Sequence, residues 1–450
     1  MYGRPMTDGA PWKHMIRFAL PILAGSLLQQ LYHTVDTIVV GRFSGEGALA
    51  AVGTTGSLTF MFLAVAIGFS AGNGVLVAQH FGAGDDRQVR RTAATGIVFL
   101  AGLGLAASVA GVLFARFAYE RFVAAPPEIL DMTLLYFRIY SAGLIFQYAY
   151  NILAAVLRAI GDSAAMLYFL LIASALNIAL DLLFVAGFGW GVAGAALATN
   201  ISQAASVAAA WCYMTRKYPI FRYRLRDLVW DAGAVGDTVR IGFPIALQLV
   251  IVSLGISLIQ RAVNGFGRFM TASFTVGHRV ELYLHLPCNA LQSTLATYTG
   301  QNVGAGRMDR VRLGLRQGIA ISLALTAVSS LPVWFFADGI VQIFALSSQA
   351  AAYCNAHLKA IALINVILAS YVPLFGVFQG TRHSAVPTCV ALCALTLRVI
   401  VTYLWKDGDF FGASIIWWNG LFGFCTGSLV AWGYYLSGRW QKLPPRAASN

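Results

Sequence analysis

Long apolar segments recur along the whole chain and limit what it can fold into. Twelve stretches have very few charged side chains, and apolar stretches of about 18 residues or more predict membrane-spanning helices. Their approximate limits are 15–40, 48–78, 92–115, 129–157, 164–187, 192–215, 236–264, 270–299, 314–337, 350–378, 386–405 and 412–437. Only 11% of the 450 residues are charged, against roughly 25% in soluble domains. We therefore expect an all-α polytopic membrane protein with twelve transmembrane helices.

The net charge of +13 could indicate nucleic-acid binding, but the positions of the basic residues favour another cause. If the N-terminus is cytoplasmic, 21 basic residues fall on the cytoplasmic side of the predicted topology. Only five fall on the opposite side, namely Arg42, Arg116, Arg121, Arg268 and Lys406. This asymmetry follows the positive-inside rule. We expect a multi-pass protein of the cell (inner) membrane with both termini in the cytoplasm, and no nucleic-acid partner.

The chain contains an internal duplication. The sequence QHFGAG at 79–84 returns as QNVGAG at 301–306, a shift of 222 residues, and Pro21 returns as Pro244, a shift of 223. Each copy contains an even number of predicted spans, so both copies enter the membrane from the same side. Such parallel repeats are related by an axis along the membrane normal.

These repeats predict three parts of the chain. The first six helices form an N-lobe at 1–215, and the last six form a C-lobe at 236–450. The basic segment 216–235 between them is the predicted cytoplasmic linker. We expect a pseudo-twofold axis between the two six-helix lobes.

Polar side chains recur at helical spacing within the predicted spans, so that each set shares a face of its helix. The N-lobe sets are Gln29, His33 and Asp36; Tyr136, Tyr140, Gln147 and Asn151; Asn177 and Asp181; and Thr199 and Gln203. The C-lobe set is His278, Glu281, His285 and Gln292. Duplicated lobes with buried polar residues are typical of secondary transporters, which bind substrate between their lobes. The sets therefore predict a substrate cavity, or else hydrogen bonds that only hold helices together.

Two carboxylates stand apart from the other polar residues. A charge at the bilayer centre costs about 2.5–3.5 kcal/mol on insertion scales, and such residues usually mark ion or proton pathways. Asp36 and Asp181 both lie within predicted spans. We predict that this pair binds a coupling cation. The spacing of His278, Glu281 and His285 matches no compact metal-ligand pattern, so we expect no metal other than Na⁺.

Enzyme motifs are absent or lie in the wrong context. The sequence has no GxxxxGK[ST] motif for nucleotide binding. The segment 68–72, GFSAG, matches the GxSxG pattern of hydrolases, but it lies in an apolar helix instead of a strand-to-helix turn. Small residues at this spacing favour close helix packing. An intramembrane enzyme would depend on Ser70 and His33; we expect no enzyme and no cofactor.

Several segments together resemble one transporter family. PILAGSLLQQLYHTVDTIVVGRFSGEGALAAVG at 21–53 and LNIALDLLFVAGFGWGVAGAALATNISQ at 176–203 resemble the helix 1–2 and helix 5–6 signatures of multidrug and toxic compound extrusion (MATE) transporters. QHFGAG and QNVGAG resemble the cytoplasmic loops of that family, so the resemblance spans nearly the whole chain. It implies a two-lobed antiporter that exports amphipathic, often cationic organic compounds in exchange for H⁺ or Na⁺. We expect it to act in the lipid bilayer as a monomer.

The resemblance also assigns residues to the coupling site. The family's helix 1 acid corresponds to Asp36, its helix 5 Asn and Asp to Asn177 and Asp181, and its helix 6 Thr to Thr199. Its helix 1 proline, at which some members bend, corresponds to Pro21, and Pro244 is the repeat of that proline.

Two other kinds of protein stay open at this point. A flippase for a lipid-linked oligosaccharide has similar lobes but is expected to hold a diphosphate with basic residues, for which Arg279 and Arg398 are candidates. A channel would not need a two-lobed repeat with acids concentrated in one lobe.

Overall fold

The computed structural model describes residues 3–123, 126–224, 227, 230–344, 346–408 and 411–444. The α-helices within these ranges are α1 (Pro11–Gly82), α2 (Asp86–Ala118), α3 (Pro127–Ala142), α4 (Leu144–Ala159), α5 (Ala164–Asp181), α6 (Gly191–Lys217), α7 (Ala232–Asn264), α8 (Arg268–Gly304), α9 (Met308–Phe335), α10 (Ala337–Ile343), α11 (Ser348–Gly380), α12 (Ala385–Trp405) and α13 (Ile415–Leu436). All twelve predicted spans fall on these helices. The predicted all-α polytopic fold is confirmed.

Length and hydropathy identify eight helical segments of the described chain as membrane spans, or nine if the bent pair of α3 and α4 forms one span. This count is lower than twelve for two reasons. Helix α1 has 72 residues and contains two of the predicted spans. Helices α6 and α8 have 27 and 37 residues, which is long enough to span, but they carry more polar side chains.

The first two spans are joined by a sharp break instead of the loop expected between residues 40 and 48. Helical backbone continues on both sides of Gly45, whose φ and ψ are 84° and 177°. Gly267, 222 residues later, has nearly the same angles, 88° and −178°, and separates α7 from α8. Only glycine adopts this conformation without strain. The break is therefore a conserved feature of both repeats within this chain, which supports the duplication.

The fourth predicted span, 129–157, is wrong as a single helix. Helices α3 and α4 meet at Gly143 with a bend of 44°. The side-chain Oδ1 of Asn200 lies only 2.0 Å from where a Cβ of Gly143 would be. Asn200 also donates its Nδ2 to the Ile139 carbonyl at 2.5 Å. The bend therefore depends on a glycine that leaves room for a side chain from α6.

The described chain divides into two compact units. Unit 1 contains residues 3–5 and 20–246, and unit 2 contains residues 6–19 and 247–444. The first turns of α1 thus belong to unit 2, and the first turns of α7 belong to unit 1. The predicted limits differ from this division. They place the start of α1 in the N-lobe (1–215) and most of α7 in the C-lobe (236–450).

Close packing explains why the start of α7 belongs to unit 1. A Cβ at Gly68 would lie 2.6 Å from the Ala246 Cβ, and a Cβ at Gly72 would lie 2.6 Å from the Thr238 carbonyl oxygen. The GFSAG segment is therefore a contact surface for α7, as the helix-packing interpretation predicts. The side chain of Asn73 adds a hydrogen bond to Thr238 Oγ1 at 3.2 Å.

The start of α1 is held in unit 2 through the second repeated loop, QNVGAG. Gln301 accepts a hydrogen bond from the Met6 backbone N–H at 2.8 Å. Asn302 and Arg310 donate to the Met6 carbonyl at 3.3 and 3.2 Å. In α9, Gln317 accepts from the Trp12 backbone N–H at 2.9 Å.

The linker is held in the same manner beside the first repeated loop. Arg90, which follows QHFGAG, donates to the Ile220 and Arg222 carbonyls at 2.9 Å each. It also forms an ion pair with Asp227 at 2.8 Å. In each unit the region of the repeated loop therefore anchors the segment that leads into a repeat's first helix.

Candidate functional site

Two carboxyl groups face each other inside unit 1. The side chains of Asp36 and Asp181 lie within hydrogen-bonding reach of one another, and these residues are 8% and 0% exposed. Among the described residues, no donor reaches Asp36 Oδ1 or either oxygen of Asp181. Two ionised carboxylates are both acceptors, so they can bond only through a proton or another cation between them.

The local helix geometry places both acids. Asp36 lies on the buried face of α1, one turn before Val39 and Val40, which pack in a core cluster with α6 residues such as Val192. Asp181 is the last residue of α5, and the chain continues as a π-helical turn over Leu182–Gly187. Such π turns frequently occur at functional sites. The irregular helix end therefore coincides with the predicted site.

Asn177 and Thr199 add neutral oxygens on the helices that carry or adjoin the acids. Asn177 is buried one turn before Asp181, and neither Oδ1 nor Nδ2 has a partner in the described chain. The Thr199 hydroxyl donates to the Ala195 carbonyl at 3.0 Å, which leaves its lone pairs available as acceptors. The buried oxygens of Asp36, Asp181 and Asn177 lack partners among the described residues and are of the type that binds H⁺ or Na⁺. Their role as a coupling site stays a prediction.

Two tyrosines complete this site. Tyr32 and Tyr136 are buried, and both interact electrostatically with Asp36 and Asp181. The Tyr32 side chain also lies near that of Thr199. Tyr32 is not among the residues that the polar pattern of the sequence indicates, and the substrate-cavity role of its neighbour His33 stays a prediction. Helical spacing could have indicated Tyr32, because it lies four residues before Asp36 and so one full turn away.

The remaining N-lobe candidates differ in position. Tyr140 stacks on Tyr136, with ring centroids 6.1 Å apart and planes 14° apart, and therefore adjoins the acid pair. Gln29 and His33 are exposed on α1.

The bend at Gly143 divides the stripe predicted on the fourth span, so Gln147 and Asn151 lie on α4 while both tyrosines lie on α3. Asn151 donates to the Gln147 carbonyl at 2.8 Å, within its own helix. On α6, Gln203 has an Oε1 without a partner among the described residues. The substrate-cavity role of Gln147, Asn151 and Gln203 stays a prediction.

Unit 2 contains a different polar cluster around Glu281. His278 Nδ1 lies 3.1 Å from the Oε2 of this buried carboxylate, and His285 Nε2 lies 3.8 Å from its Oε1. Arg398 from α12 and His357 from α11 lie near enough to interact with it electrostatically. The three α8 residues lie on one face as predicted, and His278 forms a hydrogen bond with Glu281 on that face. The role of His278 and Glu281 in a substrate cavity stays a prediction.

A small cavity adjoins the Glu281 cluster. Its volume is about 10 Å³, which is close to the minimum for one water molecule. Asn365 lines it and has an Oδ1 without a partner among the described residues. Arg398 donates its Nε to Asn419 Oδ1 at 2.9 Å, and its guanidinium lies 5.3 Å from the Phe424 ring centroid. The polar sets of the sequence analysis include neither Asn365 nor Asn419, because these residues come from different helices, α11 and α13.

The two predicted bend prolines lie inside helices. Pro21 is in α1 and Pro244 is in α7. A functional bend at either proline stays a prediction.

Comparisons with known proteins relate the chain as a whole to one family. The MatE family model matches residues 21–183 and 244–404. The chain is 27% identical to the probable multidrug resistance protein YoeA of Bacillus subtilis, over 94% of this chain and 93% of that protein. It is 25% identical to the probable multidrug resistance protein NorM of Thermotoga maritima, over 96% and 93%.

A solved structure shows the same fold. It is that of a multidrug resistance MATE family transporter of the MOP superfamily in an outward-facing conformation. The TM-score is 0.90 at 22% identity, with 97% of this chain and 98% of that chain covered. With the family model matching most of its length, this chain belongs to the MatE family of polytopic membrane proteins.

Proposed function

We propose that this protein is a secondary antiporter that exports amphipathic organic cations in exchange for H⁺ or Na⁺ by alternating access. The observation that carries the proposal is the facing pair of Asp36 and Asp181, buried without donors from the described residues. A structural pair of carboxylates would need donors to offset its burial. A pair that lacks them is suited to bind and release a cation.

The coupling follows from charge. When H⁺ or Na⁺ occupies the pair, the repulsion between Asp36 and Asp181 is relieved and their attraction for an organic cation is reduced. When the cation leaves, negative charge returns to the site and favours a cationic substrate. The site therefore alternates between a state that holds the coupling cation and a state that holds the exported organic cation.

The residues around the pair fit either coupling cation. A proton needs only the two facing carboxyl oxygens. Na⁺ needs several oxygen ligands, which Asn177 Oδ1, Thr199 Oγ1 and the carboxylates could supply. Tyr32 and Tyr136 position this set, because they are buried and lie beside both acids.

The gradients available to a cell are sufficient. A proton that crosses about 100 mV and one pH unit releases about 3.7 kcal/mol. At about 1.4 kcal/mol per decade of concentration, one proton sustains a substrate gradient of roughly a few hundredfold. One acid pair is therefore enough to drive export.

The proposed substrates are amphipathic organic cations. Relatives such as YoeA and NorM are probable multidrug resistance proteins, which supports drug-like substrates. The aromatic and amide side chains of the predicted cavity suit such molecules: Gln29, His33, Tyr136, Tyr140, Gln147, Asn151, Gln203 and His278, together with Glu281.

The experiment that tests this function is uptake of a fluorescent cation into inverted membrane vesicles. A pH gradient and a Na⁺ gradient are imposed separately, with vesicles that lack the protein as the control. We expect uptake with at least one of the two gradients. No uptake with either gradient, in vesicles with verified protein, would contradict antiport.

A flippase is the second candidate, and the contacts of Arg398 argue against it. A diphosphate site requires uncompensated basic residues, whereas Arg398 interacts with Glu281 and bonds to Asn419. Proteoliposomes with a fluorescent lipid-linked diphosphate separate the two functions, and we expect no translocation of that lipid.

The proposed location is the inner membrane, with both termini in the cytoplasm. The asymmetry of the basic residues supports this orientation. A reporter that is active only in the cytoplasm should be active when it is fused after Asn450. Activity of an exclusively external reporter at the same position would overturn the topology.

A further inference from the structure

A groove lies on the surface of unit 1 between the first turns of α5 and the last turns of α6. Its volume is about 560 Å³, within the range of about 300–1,000 Å³ that ligand pockets occupy. Tyr168 and Ile172 line it from α5, and Ala209 and Cys212 line it from α6. We call this the α5–α6 groove. It is separate from the acid pair, because Asp181 lies at the other end of α5.

The walls of the groove are apolar side chains within predicted membrane spans. Tyr168 and Ile172 are 58% and 47% exposed, and they share a face of α5 because they are four residues apart. On α6 the lining runs from Ala209 to Lys217, about 12 Å of helix. In a membrane the neighbour of such a surface is a lipid acyl chain.

One end of the groove is basic. Arg216 and Lys217, the last residues of α6, line it there. Lys217 is already engaged, because it forms an ion pair with Asp162 at 3.0 Å. Arg216 is exposed, and within the described chain no acceptor binds its guanidinium. A free guanidinium at the end of an apolar groove is suited to bind a phosphate group.

We propose that the α5–α6 groove binds one anionic phospholipid, with its phosphate on Arg216 and an acyl chain between α5 and α6. The membrane side agrees with this ligand. The groove's basic end adjoins the linker, whose positive charge predicts the cytoplasmic side, and cytoplasmic leaflets attract basic segments through anionic lipids. The exposed hydroxyl of Tyr168 is a second polar group at the groove. The site does not depend on the transport reaction.

Native mass spectrometry of the purified protein tests the site. Dioleoylphosphatidylglycerol is the anionic probe, and dioleoylphosphatidylcholine is the zwitterionic comparison. We expect one phosphatidylglycerol to bind at least about tenfold more tightly than phosphatidylcholine, since a charged hydrogen bond to phosphate is among the stronger polar contacts. Arg216→Gln should remove this preference. Equal binding of both lipids would overturn the proposal.

A matched control distinguishes a site from general surface charge. Arg87 is also exposed in unit 1, at the start of α2, and lies outside the groove. Arg87→Gln should leave the phosphatidylglycerol preference unchanged, and Ala209→Leu, which fills the groove, should reduce it. If Arg87→Gln lowers binding as much as Arg216→Gln, the lipid responds to net charge and the site is rejected.

Cysteine alkylation locates the lipid. Cys212 is exposed in the groove, while Cys389 is exposed on α12 in unit 2. Phosphatidylglycerol should slow the alkylation of Cys212, measured by peptide mass spectrometry, without slowing that of Cys389. Inorganic phosphate should have no effect on either thiol. Equal protection of both cysteines, or protection of Cys212 by phosphate alone, would contradict a phospholipid in this groove.

Discussion

The acid pair of unit 1 and the Glu281 cluster of unit 2 differ in the partners of their buried carboxylates. In unit 1, Asp36 and Asp181 face each other with no donor from the described residues. In unit 2, Glu281 has two histidines beside its oxygens and interacts with Arg398. The acid pair lacks a compensating group among the described residues, whereas the Glu281 carboxylate has side chains of the protein around it. This difference supports the proposal that the coupling cation binds in unit 1.

This difference arises although the two units repeat one helical scaffold. Gly84 and Gly306 have the same φ of 72° at equivalent loop positions. Arg398 and Thr402 stand 221 residues after Asn177 and Asp181. Thr402 bonds to the Arg398 carbonyl at 2.7 Å. A duplicated backbone therefore constrains glycines at turns, while the polar residues inside each copy are free to diverge.

The largest predicted effect is that of Asp36→Asn. The amide keeps the shape and most hydrogen-bonding capacity but removes the charge, so gradient-driven export should fall to background, a loss of at least about tenfold or ~1.4 kcal/mol. Asp36→Glu should retain part of the activity, since it still binds H⁺ or Na⁺. The measurement is initial export rate against external pH and Na⁺, at matched expression. Wild-type rate and ion dependence in Asp36→Asn would remove the coupling role of the pair.

Asp181→Asn should reproduce the effect of Asp36→Asn, because each carboxylate determines how the other holds the cation. The double variant should be no worse than either single variant, since residues that act as one unit are not additive. The same export assay measures all three proteins. Additive losses would indicate two separate sites and break the proposed pair.

Glu281→Gln should affect stability and substrate binding but not ion dependence. Removal of one partner from a buried charged cluster typically lowers the free energy of unfolding by about 3–5 kcal/mol. Because Glu281 is also predicted to line the substrate cavity, its loss should raise the KM for substrate. Thermal unfolding and export by surviving protein measure the two effects. The double variant with Arg398→Gln should recover part of the stability. A changed response to pH or Na⁺ in Glu281→Gln would assign ion coupling to unit 2 as well.

Asn177→Ala and Thr199→Ala should weaken ion dependence without erasing it. Each residue supplies one neutral oxygen, so the half-saturating cation concentration should rise by about three- to tenfold, the equivalent of one neutral hydrogen bond of about 1 kcal/mol. Ser206→Ala is the matched control, because this buried α6 hydroxyl donates to the Phe169 carbonyl instead. An equal shift in Ser206→Ala would mean that the effect comes from helix packing.

The smallest predicted effect is that of a change at Asp162, a buried acid of unit 1 whose carboxylate accepts three hydrogen bonds. Burial raises the pKa of its carboxyl, but hydrogen bonds from Tyr218, Lys217 and Tyr213 outweigh burial and lower that pKa below the usual range. A lowered pKa means that the stabilisation is complete above about pH 4 and is lost as the pH falls through the folded-state value.

Asp162→Asn should therefore reduce stability at pH 7 by about 1–3 kcal/mol, and its unfolding temperature should decline less than that of the wild type below about pH 4. Thermal unfolding across pH in detergent measures this. Asp309→Asn is the control, since Asp309 forms only an exposed ion pair at 3.5 Å. An identical pH profile in wild type and Asp162→Asn would contradict the role of this carboxylate.

The sequence by itself determined the membrane class, the all-α fold and the duplication, because apolar length and repeated motifs are local properties of the chain. It also indicated Asp36 and Asp181, since a carboxylate within an apolar span is conspicuous without a structure. Only the tertiary structure decided that the two acids face each other, that Tyr32 lies beside them, and that Asn200 fills the bend at Gly143. It also decided that the starts of α1 and α7 belong to the opposite units, and that Arg398 reaches Glu281. Each of these depends on contacts between helices distant in the chain, which periodicity within one helix does not encode.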